Sequence, residues 1–220
     1  MGMFFELLLA KAGTAPTPPT YKIDYTSTDG QIVTPYDTTA FGGATIVSNT
    51  YSGGVGTIGF DAPVTAIGYY AFHNCDTLAS ITIPDTVTSL GEYAFNGCSG
   101  LTDISIPNNV TSIGRNLLSG CTALSSVTIG TGITALPQNM IYRCRSLTAL
   151  TIPVNIESID NEAFNSSSLA SISIHRSSSV IPYGGTLPSS VNHIYVVYYL
   201  VGAYKTTPSW SNYASKISAL

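Results

Sequence analysis

Charge is what this sequence has least of. Asp, Glu, Lys and Arg make up 9% of its 220 residues, against roughly 25% in ordinary soluble domains. The eight Lys and Arg are scattered, only Arg143 and Arg145 lie close together, and the formal net charge is -4. Recognition of nucleic acid needs a clustered basic face, so that class is excluded. No apolar run approaches the roughly 18–20 residues that span a bilayer, so no membrane span is expected. Catalytic signatures are missing too: there is no Gly-x-Ser-x-Gly, no His-Glu-x-x-His and no phosphate-cradling loop. His73, His175 and His193 share no motif, and Asp85, Asp103, Glu157, Asp160 and Glu162 share no register apart from the local group near residue 160. No catalytic residue, cofactor or metal is expected, and the chain does not read as an enzyme.

What is present is repetition. Copies beginning at Val64, Val87, Val110, Ile133 and Ile156 follow one another every 23 residues. The second reads VTSLGEYAFNGCSGLTDISIPNN, and the fifth has lost one residue before Leu169. A fixed period of this length means stacked units that cannot bury their apolar faces alone. Each copy carries an L-x-x-I-x-I stretch such as Leu101, Ile104 and Ile106, whose alternation predicts a strand with one buried face. Pro84, Pro107 and Pro153, and Gly130 in the third copy, end these strands. Earlier in each copy, stretches such as Leu90 to Phe95 predict a short helical or turn segment opposite the strand. The expected fold is an α/β repeat: a solenoid of about five 23-residue units with a parallel sheet on one face.

Cys75, Cys98, Cys121 and Cys144 recur at the same period. Stacking places them in one interior row, where free Cys behaves as a small hydrophobe. Zinc ligands would come in close-spaced pairs, which are absent.

The recurring Ser-Ile-Gly-x-x-Ala-Phe-x-x-Cys-x-x-Leu-x-x-Ile-x-Ile-Pro pattern, from Val64 to about Ile174, resembles the BspA-like or treponemal-type leucine-rich repeats. The resemblance implies a curved leucine-rich repeat solenoid used for binding, often in bacterial adhesins, with no catalytic residues. The stretch Tyr25–Thr65 resembles the amino-terminal cap of small repeat proteins encoded by gut bacteria and their phages. Residues 193–220 resemble a terminal pattern of strand, LVxAYK and WSxYAxxI. There Tyr195–Val197 is expected to form a last strand, with short helices at Val201–Tyr204 and Trp210–Ile217. The expected organisation is an N-terminal peptide and Thr/Pro linker (1–20), a β-rich N-terminal cap (21–63), repeats (64–178) and a helical C-terminal cap (179–220).

Two surfaces are candidates for contact. Thr82, Ser105, Thr128, Thr151 and Ser173 fall between the two buried strand positions and should form a hydroxyl ladder on the sheet face. That face reads as lacking any aromatic platform. Aromatic residues gather elsewhere: Tyr69, Tyr70 and Tyr93 near the first turns, Tyr142 further along, and Tyr198 and Tyr199 at the end, the last two better suited to packing within the cap than to contact.

The first residues read as a short amphipathic helix, with Phe4, Phe5, Leu7, Leu8 and Leu9 on its apolar side and Pro16, Pro18 and Pro19 ending it. Glu6 interrupts the run and no basic residue precedes it, which argues against a secretory signal, although Ala12–Ala15 imitates a cleavage site. The favoured expectation is a multi-copy phage virion component, anchored to other virion proteins by Phe4, Phe5, Leu7, Leu8 and Leu9. It would display the repeats outward to a host-surface protein or glycan. The alternative is a bacterial cell-surface or secreted adhesin with residues 1–15 as an atypical signal.

Overall fold

A computed structural model describes residues 19–165 and 167–220. The anchor residues Phe4, Phe5, Leu7, Leu8 and Leu9 lie outside them. The chain opens with β1 (Tyr21–Ser27), β2 (Ile46–Ser52) and β3 (Val55–Phe60), which form an antiparallel sheet. Gly53 and Gly54, both at positive φ, make the β2–β3 turn, a conformation open to glycine at no steric cost.

The repeats then supply two rows of strands. Two-residue strands β4 (Ala66–Ile67), β6 (Ser89–Leu90), β8 (Ser112–Ile113), β10 (Ala135–Leu136) and β12 (Ser158–Ile159) form the first row. The second row is β5 (Leu78–Ile81), β7 (Asp103–Ser105), β9 (Ser126–Thr128), β11 (Ala149–Ile152) and β13 (Ser171–Ile174). Pairing within each row is parallel: Ser89 lies opposite Ser112, Ile104 opposite Val127, Leu150 opposite Ile172. Strand β1 joins the first sheet to the second row by pairing antiparallel with β5, Tyr25 opposite Ile81.

Between the rows each copy turns instead of forming a helix. In each of the first four copies two residues take left-handed backbone: Tyr70, Tyr93, Asn116 and Asn139 in one series, Asn74, Gly97, Gly120 and Arg143 in the other. Each such residue stops helical propagation, which is why the helical alternative for Leu90–Phe95 is not realised. The glycines that open the turns have a steric reason. A Cβ on Gly91 would lie 2.4 Å from the carbonyl carbon of Gly68, and one on Gly114 would lie 2.3 Å from the Glu92 nitrogen. Gly91 N–H donates to Ile67 at 2.7 Å and Gly114 N–H to Leu90 at 2.9 Å, so the close backbones are also bonded.

The interior is one continuous apolar cluster. Phe41, Phe72 and Phe95 form a column in which Phe72 and Phe95 stack at 5.5 Å. Leu118 and Ile141 continue it, followed by Phe164 and Tyr183, all buried. Full burial of one such side chain contributes about 1.5–3 kcal/mol.

The four cysteines are free and buried, and three of them have an equivalent partner. Cys98, Cys121 and Cys144 thiols donate to the carbonyls of Phe72, Phe95 and Leu118 at 3.0–3.2 Å, each 26 residues back. The same carbonyls already accept the backbone N–H of the cysteine in their own copy. Cys75, in the first copy, donates to Thr34 at 3.3 Å. Burial pushes all four thiols up, Cys75 to about 11 and Cys144 to about 12. In the fifth copy the position belongs to Ser167, buried, with its hydroxyl unpaired.

Beyond the repeats, β14 (His193–Val196) pairs parallel with β13. Helices α1 (Val201–Thr206) and α2 (Pro208–Ser211) follow. Trp210 is fully buried, and its indole N–H donates to the Ile181 carbonyl at 2.6 Å. The expected helix through Ile217 stops early: a 3₁₀ turn spans Ala214–Lys216, and Ile217–Ala219 forms β15, parallel to β14. Pairing of Ile217 with Ile194 buries its side chain, and the gain from that distant contact outweighs the local helical pattern.

Candidate binding surfaces

On the sheet face, Thr82, Ser105, Thr128 and Thr151 are exposed and Ser173 is half-buried, as strand alternation requires. Thr82, Ser105 and Thr128 line an open hollow of about 750 Å³ together with Asp85, Asp103 and Asn108. The expectation of a face without aromatics is corrected at its far end. Register places Tyr195 beside Ser173, and its ring stacks with His193 at 5.8 Å. The sequence disguised this because Tyr195 follows a copy of shortened length.

A second surface lies at the turns of the first two copies, where Tyr69, Tyr70 and Tyr93 come together. Tyr70 and Tyr93 stack at 5.0 Å, with the rings inclined by 20°. Tyr69 meets Tyr70 edge-on at 4.1 Å and Tyr93 at 6.2 Å. Two further rings join that the sequence did not suggest. Tyr36 contacts Tyr70 at 6.0 Å and His73 at 5.3 Å, and His73 contacts Tyr70 at 4.6 Å. Tyr36 belongs to the N-terminal segment and has no place in the repeat register. It arrives because the Tyr36 and Asp37 N–H groups both donate to the Ala71 carbonyl. Tyr36 is 67% exposed and Tyr69 55%. A side-chain hydrogen bond with Tyr69 raises the Tyr70 hydroxyl above its ordinary value. Glu92 of the second copy and Arg115 of the third, paired at 3.0 Å, border the cluster.

Left-handed backbone costs a side chain with a Cβ roughly 1–2 kcal/mol, least for Asn. Asn116 and Asn139 occupy this position in the later copies, whereas Tyr70 and Tyr93 occupy it here. Among the described residues, two of the three left-handed positions that are neither Gly nor Asn lie where the rings gather, the third being Arg143.

The other tyrosines do not join this surface. Tyr142 packs under the Arg143 guanidinium at 5.0 Å. Tyr198, 82% exposed, and Tyr199, 65% exposed, stand beyond β14, and the Tyr199 hydroxyl donates to Ser177 at 2.7 Å. Among the described residues, no three His, Cys, Asp or Glu side chains converge as a metal site, and no helix is long and apolar enough to cross a membrane.

A family model for the BspA type leucine-rich repeat region matches residues 65–184 in six copies. The chain belongs to this family. The period of 23 residues gives five copies in the sequence, one fewer than the family model places. Similar solved structures include a T. pallidum leucine-rich repeat protein, 22% identical over 73% of this chain and 80% of that one, with a TM-score of 0.50. A leucine-rich cell surface protein from Faecalibacterium prausnitzii is 26% identical over 69% of this chain and 46% of its own, with a TM-score of 0.44. A leucine-rich repeat protein from Eubacterium ventriosum is 26% identical over 60% of this chain and 41% of its own, with a TM-score of 0.42. The matches to these last two cover less than half of each relative. Comparison with curated proteins returned no match.

Proposed function

We propose that this chain is a non-enzymatic binding protein whose repeat stack presents the tyrosine cluster of the first two copies to a partner. The observation that carries this reading is the pair of left-handed tyrosines, Tyr70 and Tyr93, held where Asn serves the later copies. Strain of this kind persists where surrounding structure enforces it, and it clusters at functional surfaces. The sheet-face ladder of Thr82, Ser105, Thr128, Thr151 and Ser173 is a second contact surface in this reading. Tyr142, Tyr198 and Tyr199 are peripheral to it.

The finer proposal is display on a phage particle in many copies. Phe4, Phe5, Leu7, Leu8 and Leu9 hold the protein to other virion components, and residues 15–20 act as spacer. Its support is the apolar peptide, interrupted by Glu6, followed by a Thr/Pro stretch. The cleavage-like Ala12–Ala15 supports a second reading, a cell-surface or secreted adhesin. Fractionation of the native source with intact-mass measurement separates them. Full-length chain in purified particles supports the virion reading; chain lacking its first dozen or so residues, on cells or in the medium, overturns it. Replacing Tyr69, Tyr70 and Tyr93 together by Ser should abolish attachment to the partner surface. Undiminished attachment refutes the tyrosine surface.

A further inference from the structure

We infer that the tyrosine cluster takes a neutral carbohydrate, with a pyranose ring stacked on Tyr36 in the hollow beside it; this rests on the cluster being the contact surface. The hollow, about 260 Å³, is lined by Tyr36, His73, Thr34, Asn74, Asp76 and Thr77, among others. Pockets for drug-sized ligands run to about 300–1,000 Å³, so this one suits a single ring better than a folded segment or a peptide of several residues.

The chemistry of the walls narrows the class. Tyr36, 67% exposed, offers an open ring face, and the face of an aromatic ring is its negative side. The polarised C–H groups along one face of a pyranose complement it. The same lining holds a carboxylate that only accepts hydrogen bonds, an amide that does both, and hydroxyls that do both. This mixture serves ring hydroxyls, each of which donates and accepts. Among the described residues Asp76 is the one charged residue lining the hollow, which disfavours an anionic ligand.

Two details show that the walls are set in place. Asn74 is held in left-handed backbone, with its amide nitrogen 3.0 Å from His73 Nε2. His73 Nδ1 is buried without a hydrogen-bond partner, a departure from the usual pairing of buried polar groups that calls for a reason. Cys75, which also lines the hollow, is pushed up to about 11 by burial and stays a protonated, inert wall. Tyr69, 55% exposed, continues the aromatic surface one step along, so a second ring of an oligosaccharide has a place to rest.

The test is saturation-transfer NMR on the full chain, with methyl glycosides of glucose, galactose, mannose and N-acetylglucosamine as probes. At least one should receive saturation on its ring protons, with a dissociation constant on the order of millimolar. Tyr36→Ser should weaken that signal at least fivefold without moving the melting temperature, since the ring is mostly outside the core. No transfer to any probe overturns the inference, as does transfer unchanged in Tyr36→Ser. Chemical shifts around Tyr36 produced by a proline-rich peptide, with none produced by sugar, also overturn it and assign the groove to an extended peptide. Failure here is distinct from failure of the functional reading. If the Tyr69, Tyr70 and Tyr93 variant loses attachment while no sugar binds, the surface stands and only its ligand class falls. If attachment persists, the surface itself falls.

Discussion

Replacing Ser167 by Cys should stabilise the protein. In the second to fourth copies the thiol at this position donates to a carbonyl 26 residues back. Ser167 stands 23 residues after Cys144, and its N–H donates to Phe164 at 3.2 Å, as each cysteine's does to its own copy. Yet its hydroxyl is buried and unpaired. The C–O bond is shorter than C–S, and the oxygen does not span the gap to the neighbouring copy. The carbonyl in register for the donor is that of Ile141. An unsatisfied buried hydroxyl costs about 1–3 kcal/mol, and a recovered hydrogen bond contributes about 0.5–1.5 kcal/mol. A weak S–H donor realises only part of this, so Ser167→Cys should gain about 1–2 kcal/mol. At about 2–4 °C per kcal/mol for a chain of this size, the melting temperature should rise by about 2–8 °C. Calorimetry under reducing conditions measures it. An unchanged or lower melting temperature would show that the fifth copy does not present the same interior site, and the reasoning from periodicity would fail. The reverse exchange, Cys121→Ser, should lose a comparable amount.

Three further outcomes are expected. The thiols titrate higher folded than unfolded, so their contribution to stability is complete below about pH 8.5 and declines as pH rises towards about 11 for Cys75 and about 12 for Cys144. Urea midpoints at pH 8, 9 and 10 should fall steeply, and less steeply in Cys98→Ala with Cys121→Ala. Gly91→Ala should destabilise by about 3 kcal/mol, because its Cβ meets the Gly68 and Tyr69 backbone. In contrast, Gly202→Ala in α1, where a Cβ meets nothing within 4 Å, should gain about 0.5–1 kcal/mol; thermal melts of the pair check both. Tyr70→Asn with Tyr93→Asn should leave the melting temperature level or higher through relief of left-handed strain, while partner binding falls. Lower stability in that variant would mean the ring contacts outweigh the strain.

Periodicity made the interior legible. The recurring Leu, Ile and Cys positions can only stack on their own copies, so burial of Leu101, Ile104, Ile106 and the cysteine row follows from spacing alone. The turns were less legible, because nothing in Gly-Glu-Tyr-Ala-Phe announces that Tyr93 adopts left-handed backbone; the stacked neighbours impose it. Tyr36 was hidden for a different reason. It lies 34 residues before Tyr70, outside the period, and only the bond of its N–H to Ala71 carries it into the cluster. Tyr195 and Ile217 were obscured by length changes near the end of the chain. A shortened copy and an intervening pair of helices break the count of 23 while parallel pairing continues.

The antiparallel seam between β1 and β5 fixes one end of a molecular ruler. Parallel strands lie about 4.8 Å apart, so the five steps from β5 to β14 span about 24 Å along the stack. Each unit touches only its neighbours, so one whole extra copy would lengthen that span by a single step and leave both ends as they are. A fraction of a copy would shift the turns where it is inserted and uncouple the thiol there from its carbonyl. Reach in this molecule therefore comes in quanta, and the unit of change is one full turn.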